Sequence, residues 1–268
     1  MPDSPAATLD PPALAVSPTA PAGVRPRGPA APHARDQAQL EAAAPPPPSS
    51  WYPRRGKRWL DLVALALAAP LVAGPLVALA IAVLAVYRDP RRVLFAQRRA
   101  GWRGCEFVLY KFRTMREAPA GEMESWRQGA DGERVTRLGR FLRRTHLDEL
   151  PQLYNVLRGD MHLVGPRPEM IEVEEWAREH VPGFAARLAI RPGITGLAQV
   201  TQGYAACDVA AYRRKLLLDR RYLARVSIGL DLRIALATLF WMLRGRGARW
   251  IPRSAGAPRA ATRRPRAA

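Results

Sequence analysis

Two carboxylate side chains stand next to each other in the stretch HLDELPQ, where Asp148 precedes Glu149 and Pro151 follows. The stretch RFLRRT directly upstream adds Arg143 and Arg144, so the acids lie beside a concentration of positive charge. A carboxylate can attack phosphorus or hold a metal ion when nearby cations screen the substrate's charge. An isolated Asp-Glu pair is more often a solvated helix turn, so this pair alone does not establish a site.

Two other segments supply cations that could face these acids. Arg167 stands in GPRP, where the flanking prolines stiffen the backbone, so the guanidinium loses little entropy on binding. Lys111 and Arg113 stand in KFRT, at the end of a β-prone stretch. Cations beside two acids are typical of a site that handles phosphate, where a metal ion and arginines neutralise developing charge. Each arginine taken alone also fits a surface ion pair that contributes little.

The composition narrows the class of partner. The 268 residues carry a formal net charge of +19, and Lys57, Lys111 and Lys215 are the only lysines. This charge calls for an anionic partner, and nucleic acid, anionic lipid and phosphorylated substrates all stay open. The two cysteines, Cys105 and Cys207, lie far apart, which predicts reduced thiols. Four histidines without paired spacing argue against a zinc site.

The uncharged stretch from Leu62 to Tyr87 is a candidate membrane segment, long enough for a helix across a bilayer. Both flanks are strongly basic, whereas a single crossing has lysine and arginine mainly on one side. Pro70 and Pro75, with Gly74 between them, stand near the middle, where a bend would be needed. From the residues alone, a re-entrant helix-break-helix and a straight span are equally supported.

The rest of the pattern predicts a small α+β fold that is mainly helical. The predicted elements are a β-hairpin over 93–115, a polar loop over 116–133, helices over 137–157 with a break near the acids, a loop over 159–170, an acidic helix over 171–181, a loop over 191–200, a basic amphipathic helix over 208–226 and an apolar helix over 228–245. We expect the last helix to be interfacial, with a core helix as the alternative.

The chain also divides by composition. The Pro- and Ala-rich residues 1–50 and the Arg-rich residues 246–268 predict disordered tails, because they cannot bury enough apolar surface. Between them we expect a membrane hairpin with basic flanks over 51–92 and a cytosolic catalytic domain with interfacial helices over 93–245.

Several motifs in one order resemble a known family. RTHLDELPQLYNVLRGDMHLVGPRPEM, followed by RPGITGLAQV, is similar to the bacterial sugar transferases, the monotopic polyprenyl-phosphate phosphoglycosyltransferases. The upstream KRWLDLVALALAAPL and KFRTM and the closing LDLRIALATLFWML resemble the same family. The resemblance covers residues 54–245 and leaves only the tails outside.

This resemblance implies an enzyme of the bacterial inner membrane whose catalytic domain faces the cytoplasm. Such an enzyme moves a sugar 1-phosphate from a nucleotide sugar, usually a UDP-sugar, to undecaprenyl phosphate. It releases UMP and so initiates assembly of a glycan such as exopolysaccharide, capsule or O-antigen. The resemblance implies Mg²⁺ as cofactor and the lipid bilayer as partner, without nucleic acid, and leaves a homo-oligomer open.

The family's residue roles carry over to matching positions. Asp148 would be the nucleophile that attacks the β-phosphorus and holds a covalent phosphosugar, and Glu149 would bind Mg²⁺. Arg143, Arg167 and, with a weaker match, Lys111 would bind the phosphates of the nucleotide sugar.

Two positions depart from the family pattern. Ala69-Pro70 replaces the Ser-Pro or similar step that breaks the family's membrane helix, and Pro70 keeps the predicted membrane break. Together with the basic flanks, the resemblance favours the re-entrant hairpin. His146 replaces a common serine, and we expect a neutral variant, the alternative being altered local hydrogen bonding.

Two rival functions stay open. A membrane-anchored nucleic-acid-binding protein would use the net charge of +19, but the sequence has no recognition motif and no aromatic residues interleaved with the basic ones. A catalytically inert scaffold of the same family is the second rival. The intact Asp148, Glu149 and Arg167 argue against such decay.

Overall fold

A computed structural model describes residues 51–116, 134–203 and 208–243 of the chain. The helices are α1 (Lys57–Tyr87), α2 (Arg137–Thr145), α3 (Gln152–Arg158), α4 (Ile171–His180), α5 (Leu197–Gln202), α6 (Val209–Ala224) and α7 (Ile228–Leu243), and the strands are β1 (Leu94–Ala100), β2 (Glu106–Phe112), β3 (His162–Val164) and β4 (Gly193–Thr195). This is the mainly helical α+β fold that the sequence predicts. The predicted tails, Cys207 and nearly all of the predicted loop over 116–133 lie outside the described residues.

Helix α1 is the one described helix that is long and apolar enough to cross a membrane. Only 6% of its most apolar stretch is buried within the protein, which excludes a core helix and is typical of a helix that meets lipid. The helix continues through Pro70 and Pro75, so the structure does not confirm two helices separated by a break at Pro70.

Both ends of α1 pack against the rest of the protein, whereas its middle does not. Near the start of the helix, Leu65 is buried in an apolar cluster with Phe107. Near its end, Val83 is fully buried in a second cluster with Phe112. None of residues 66–75 is buried. The apolar middle of α1 therefore projects away from the domain that holds its two ends.

The predicted β-hairpin is confirmed, and it carries Lys111 to the acids. Strands β1 and β2 pair antiparallel from Leu94↔Phe112 to Ala100↔Glu106. The fully buried Asn155 of α3 fixes β2 from the other side, because its amide donates to the carbonyl of Val108 at 2.7 Å and accepts from the amide of Tyr110 at 3.1 Å. Sheet and helix are thus joined directly beside the Asp-Glu pair.

The prediction of two loops over 159–170 and 191–200 is partly wrong, because each segment contains a short strand. Strands β3 and β4 pair in parallel through His162↔Gly193 and Val164↔Thr195. A strand of three residues is too short to show the alternation of apolar and polar residues by which a strand is predicted. The segments also approach unusually closely, since a Cβ on Gly193 would lie 2.0 Å from the amide nitrogen of Gly165.

The other helical predictions agree with the structure, except that α5 (Leu197–Gln202) begins within the predicted loop over 191–200, where six residues are too few to show a helical period. Two helices flank the acids, the acidic helix is α4, and the basic amphipathic helix is α6. Trp176 of α4 and Tyr212 of α6 lie in one buried cluster with Phe184. Helix α7 buries Ile234 yet leaves Leu236 57% exposed. An apolar helix so exposed fits an interfacial helix and not a core helix.

Candidate active site

A short 3₁₀ turn, Leu147–Glu149, holds the two acids between α2 and α3. Helix α2 ends at His146, whose φ of 57° reverses the backbone; His is among the residues enriched in this left-handed conformation. Leu147 and Leu150 pack against the cluster around Val83 and Phe112. The turn is therefore fixed by its leucines, and the acids extend from an anchored backbone.

Glu149 is the centre of a buried ion-pair network. Its Oε1 accepts hydrogen bonds from Lys111 Nζ at 2.8 Å and from Arg167 Nη2 at 2.7 Å, and its Oε2 faces Arg167 Nη1 at 3.4 Å. Burial alone would raise the pKa of Glu149, but the charges of Arg167 and Lys111 outweigh it and hold the pKa well below its usual range. Glu149 is therefore ionised at neutral pH.

Asp148 is nearly as buried as Glu149 but lies in a different environment. Within the part of the chain that the structure describes, no hydrogen bond or ion pair holds its carboxylate. Burial raises its pKa, and the charge of Glu149 adds to this effect while that of Lys111 opposes it. A carboxylate in such surroundings keeps its lone pairs available for an incoming electrophile, provided that cations balance its charge.

Arg143 lies near this network but outside its direct contacts. Its Nε donates to Thr114 Oγ1 at 2.9 Å, and its side chain is exposed. It belongs to the charges that lower the pKa of Asp148. The structure thus brings Lys111, Asp148, Glu149 and Arg167 together and holds Arg143 beside them. Pro70, in the projecting middle of α1, is not part of this site.

Sequence reasoning missed a layer of buried charges behind Arg167. Arg187 is 1% exposed and pairs with Glu174 at 2.7 Å and Asp219 at 3.3 Å. Its Nη2 also donates to the carbonyl oxygen of Arg167. Lys215 of α6 pairs with Glu169, two residues after Arg167. The only signal in the sequence was a set of isolated charged residues, and such residues are usually solvated.

Arg99 of β1 is a second residue that the sequence analysis missed. Its Nη1 donates to the carbonyl oxygen of Pro168 at 3.3 Å, and its Nη2 donates to Gln97 Oε1 at 2.6 Å. Burial lowers the pKa of Arg99 to about 10, so it still carries a charge at neutral pH. It therefore adds positive potential and supports the loop that carries Arg167.

The described residues offer little for a metal ion beyond the Asp-Glu pair. Residues 51–116, 134–203 and 208–243 contain no group of three or more His, Cys, Asp or Glu side chains that could hold a metal ion. Glu149 Oε2 has only the 3.4 Å contact to Arg167, and a carboxylate oxygen has two lone pairs. The site therefore fits a cation that takes one protein carboxylate oxygen, as Mg²⁺ does beside substrate phosphates.

A family comparison matches nearly all of the described chain. The bacterial sugar transferase model matches residues 52–245. Its range includes α1, the hairpin, the Asp-Glu turn and α7.

Relatives with assigned names are similar over the same region. The chain is 43% identical over 195 residues to a UDP-N-acetylgalactosamine-undecaprenyl-phosphate N-acetylgalactosaminephosphotransferase of Aeromonas hydrophila, covering 72% of this chain and 45% of the relative. It is 43% identical over 184 residues to a UDP-glucose:undecaprenyl-phosphate glucose-1-phosphate transferase of Caulobacter vibrioides, covering 68% of each. A protein of the same name from Escherichia coli is 36% identical, with 41% of its length covered. The match thus spans less than half of two of these relatives.

Proposed function

Because this chain belongs to the bacterial sugar transferase family, we propose that it transfers a sugar 1-phosphate from a UDP-sugar to undecaprenyl phosphate. The relatives named above are called undecaprenyl-phosphate transferases for glucose 1-phosphate or N-acetylgalactosamine phosphate. UMP would be the second product, and the lipid-linked sugar would start a glycan such as exopolysaccharide, capsule or O-antigen.

The observation that carries this proposal is the difference between the two acids. Glu149 is held by Lys111 and Arg167 at 2.8 and 2.7 Å, whereas Asp148 beside it has no such partner among the described residues. One acid is thus fixed as part of a cationic phosphate site, and the other is available to react. A solvated helix turn would leave both acids exposed, yet they are 8% and 9% exposed.

The chemistry would take two displacements at one phosphorus. In the first, a carboxylate oxygen of Asp148 attacks the β-phosphorus of the UDP-sugar, and the bond from this phosphorus to the bridging oxygen breaks. The electron pair leaves with UMP, and the sugar phosphate stays on Asp148. In the second, a phosphate oxygen of undecaprenyl phosphate attacks the same phosphorus and releases the Asp148 carboxylate. No proton needs to be created or lost in either displacement.

The cations would act on the phosphates in both displacements. Lys111 and Arg167 approach from β2 and from the loop after β3, and each can donate to a phosphate oxygen while it keeps its contact with Glu149, because each has several N–H groups. Arg143 would complete the site from α2, since it is exposed and has only one of its N–H groups on Thr114. Fixed donors of this kind stabilise charge that develops in the transition state.

We propose Mg²⁺ as the cofactor, with Glu149 Oε2 as its protein ligand. When bound, the ion would neutralise the diphosphate and make the phosphorus easier to attack. The single protein carboxylate is consistent with the preference of Mg²⁺ for water and substrate phosphate oxygens. Lys111 and Arg167 would then hold Glu149 in one orientation and keep it ionised.

We also propose that α1 enters the inner membrane and returns on the cytoplasmic side. Leu65 lies in the apolar cluster that contains Phe107, and Val83 lies in the cluster that contains Phe112, so both ends of the helix are buried against the same domain. A bend at the projecting residues 66–75, which hold Pro70, would let both ends of the helix return to this domain.

Family membership also bears on the rival functions. A nucleic-acid binder gains no support from family membership. The site does not favour one either, because its buried cations point at Glu149 and not at an open surface. An inert relative is opposed by the unbonded, buried Asp148, since a protein that no longer used this acid would gain stability by losing it.

The test is UMP release by the purified protein in nanodiscs, given Mg²⁺, undecaprenyl phosphate and a panel of UDP-sugars that begins with UDP-glucose and UDP-N-acetylgalactosamine. Asp148→Asn is run beside it. We expect UMP from at least one sugar and none from the variant, which should still fold and bind lipid. Normal turnover by Asp148→Asn would refute the assigned nucleophile, and an inactive wild type across all activated sugars would support the inert scaffold.

A further inference from the structure

A cavity of about 170 Å³ lies beside the network of Glu149 and Arg167. Its wall is mostly apolar and includes Leu150, Leu153, Ile194, Val200, Trp241 and Met242. The hydroxyl groups of Thr195 and Thr238, which also reach the cavity, are 2.7 Å apart and bond to each other. The cavity thus joins a charged end to a mostly apolar interior, in which Gln199 Oε1 is also buried without a hydrogen-bond partner among the described residues.

Helix α7 separates this cavity from an exposed apolar surface. Trp241 and Met242 lie on its cavity side. Leu232, Leu236 and Leu239 are 58%, 57% and 54% exposed on its other faces. Such exposure is typical of a helix in the membrane interface. An interfacial α7 would bring the cavity within one helix diameter of lipid.

His146 forms the corner between the charged end and the apolar wall. Its ring stacks on that of Trp241 with centroids 5.7 Å apart and planes at 26°. Its Nε2 is buried and has no hydrogen-bond partner among the described residues. A buried polar atom without a partner costs free energy unless a ligand supplies one. His146 and Arg167 both border the cavity.

We propose that the cavity binds the phosphate-bearing end of the polyprenyl phosphate acceptor, with its first isoprene units against α7 and its phosphate at Arg167 and His146. This proposal rests on the proposed function. A nucleotide sugar fits the cavity poorly, because its base and most of its hydroxyl groups would lose water against a mostly apolar wall. An isoprenoid chain gains from burial there, and its anionic group matches the guanidinium.

The proposal gives His146, which stands where the resembled family commonly has serine, a role in phosphate binding. With Nε2 carrying the proton, the imidazole donates to a phosphate oxygen, as a serine hydroxyl would. The stack on Trp241 fixes the ring in the required orientation. His146 is thus a phosphate-binding residue of the acceptor site and not a spectator.

Photocrosslinking tests the proposal without any turnover. The full chain in nanodiscs is labelled with a short polyprenyl phosphate that carries a diazirine on its first isoprene unit, and the labelled peptides are mapped. We expect label on residues 197–203 or 238–242. Met242→Trp, which fills the cavity, should lower labelling about tenfold or more, since excluding two buried methylene groups has this effect. The matched control is Leu239→Trp on the exposed side of the same helix, which should keep wild-type labelling.

The role of the charged end of the cavity is tested with two probes that differ only in the phosphate. His146→Ala should weaken labelling by the phosphate probe but not by the same probe as a free polyprenol. Label on other segments, or equal labelling of Met242→Trp and Leu239→Trp, would overturn the proposal. UMP release is measured separately. Label in the cavity without UMP from any sugar would refute the proposed function alone, whereas UMP release with label elsewhere would refute the acceptor cavity alone.

Discussion

The buried guanidinium of Arg187 donates a hydrogen bond to the main-chain carbonyl of Arg167. The same group reaches Glu174 of α4 and Asp219 of α6, so one side chain joins two helices to the loop that delivers Arg167. Arg187 carries no contact to Glu149. Its effect on the site therefore passes through the backbone of Arg167.

Replacement of Arg187 by lysine should lower both stability and activity. Lysine keeps the charge but cannot contact two carboxylates and a carbonyl with a planar fork. We expect a lower unfolding temperature and UMP release reduced about 10- to 100-fold, the usual range for residues that orient a catalytic group. Arg178→Lys is the matched control, because Arg178 pairs with the same Glu174 at 3.2 Å from a more exposed position. Equal effects of the two substitutions would exclude the positioning role.

The two acids should respond oppositely when each is made neutral. Burial raises the pKa of Asp148, so its ionised form costs stability at neutral pH, and Asp148→Asn should raise the unfolding temperature. The pKa of Glu149 is held low, so Glu149→Gln removes a favourable charge, leaves Lys111 and Arg167 facing each other and should lower the temperature. Thermal unfolding with a chelator present tests both variants. A change of the unfolding temperature in the same direction for both would contradict the different environments inferred for Asp148 and Glu149.

Much of this site could be predicted because its signals are local. The Asp-Glu pair, the arginines of α2 and the rigid GPRP loop lie in short motifs, and the hairpin shows two β-prone runs around a Gly/Arg turn. The convergence of Lys111 and Arg167 on Glu149 could only be expected by resemblance, because residues 38 and 18 positions away meet it through tertiary packing.

The buried layer could not be predicted for the same reason. Arg187 lies in FAARLAIRPG, where nothing distinguishes it from the nearby Arg191. Its burial depends on acids that arrive from two other helices. The β3–β4 pair depends likewise on glycines that let two loops approach, and strands of three residues leave no period.

A further prediction concerns the attachment of α1 to α7. Lys57, the first residue of α1, pairs with Asp231 of α7, which also accepts from Tyr52 at 2.5 Å and Tyr222 at 2.8 Å. Lys57→Met and Asp231→Asn should each lower the free energy of unfolding by about 3–5 kcal/mol, because each removes the opposite charge that balances a buried one. The double variant should lose about 1–3 kcal/mol less than the sum.

Urea unfolding in a mild detergent measures this coupling between Lys57 and Asp231. Arg55→Met is the control, since Arg55 is exposed next to the same helix and should change the free energy of unfolding by less than about 0.5 kcal/mol. Strictly additive losses would mean that the two charges do not interact in the folded protein.

The last prediction concerns pH and a contact between α1 and β3. His162 is 3% exposed, and its Nδ1 lies 2.5 Å from Asp61 Oδ2 of α1. Burial lowers the pKa of His162 although Asp61 opposes this effect, so the ring takes up a proton more readily in the unfolded chain. Its contribution to stability is therefore present above the ordinary histidine pKa of about 6.5 and is lost as pH falls below it. The unfolding temperature of the wild type should fall between about pH 7.5 and about pH 5, and this fall should be smaller in His162→Gln.

His180→Gln, at a more exposed ring on α4, should keep the wild-type dependence. The same fall in His162→Gln as in the wild type would show that another group controls the acid sensitivity.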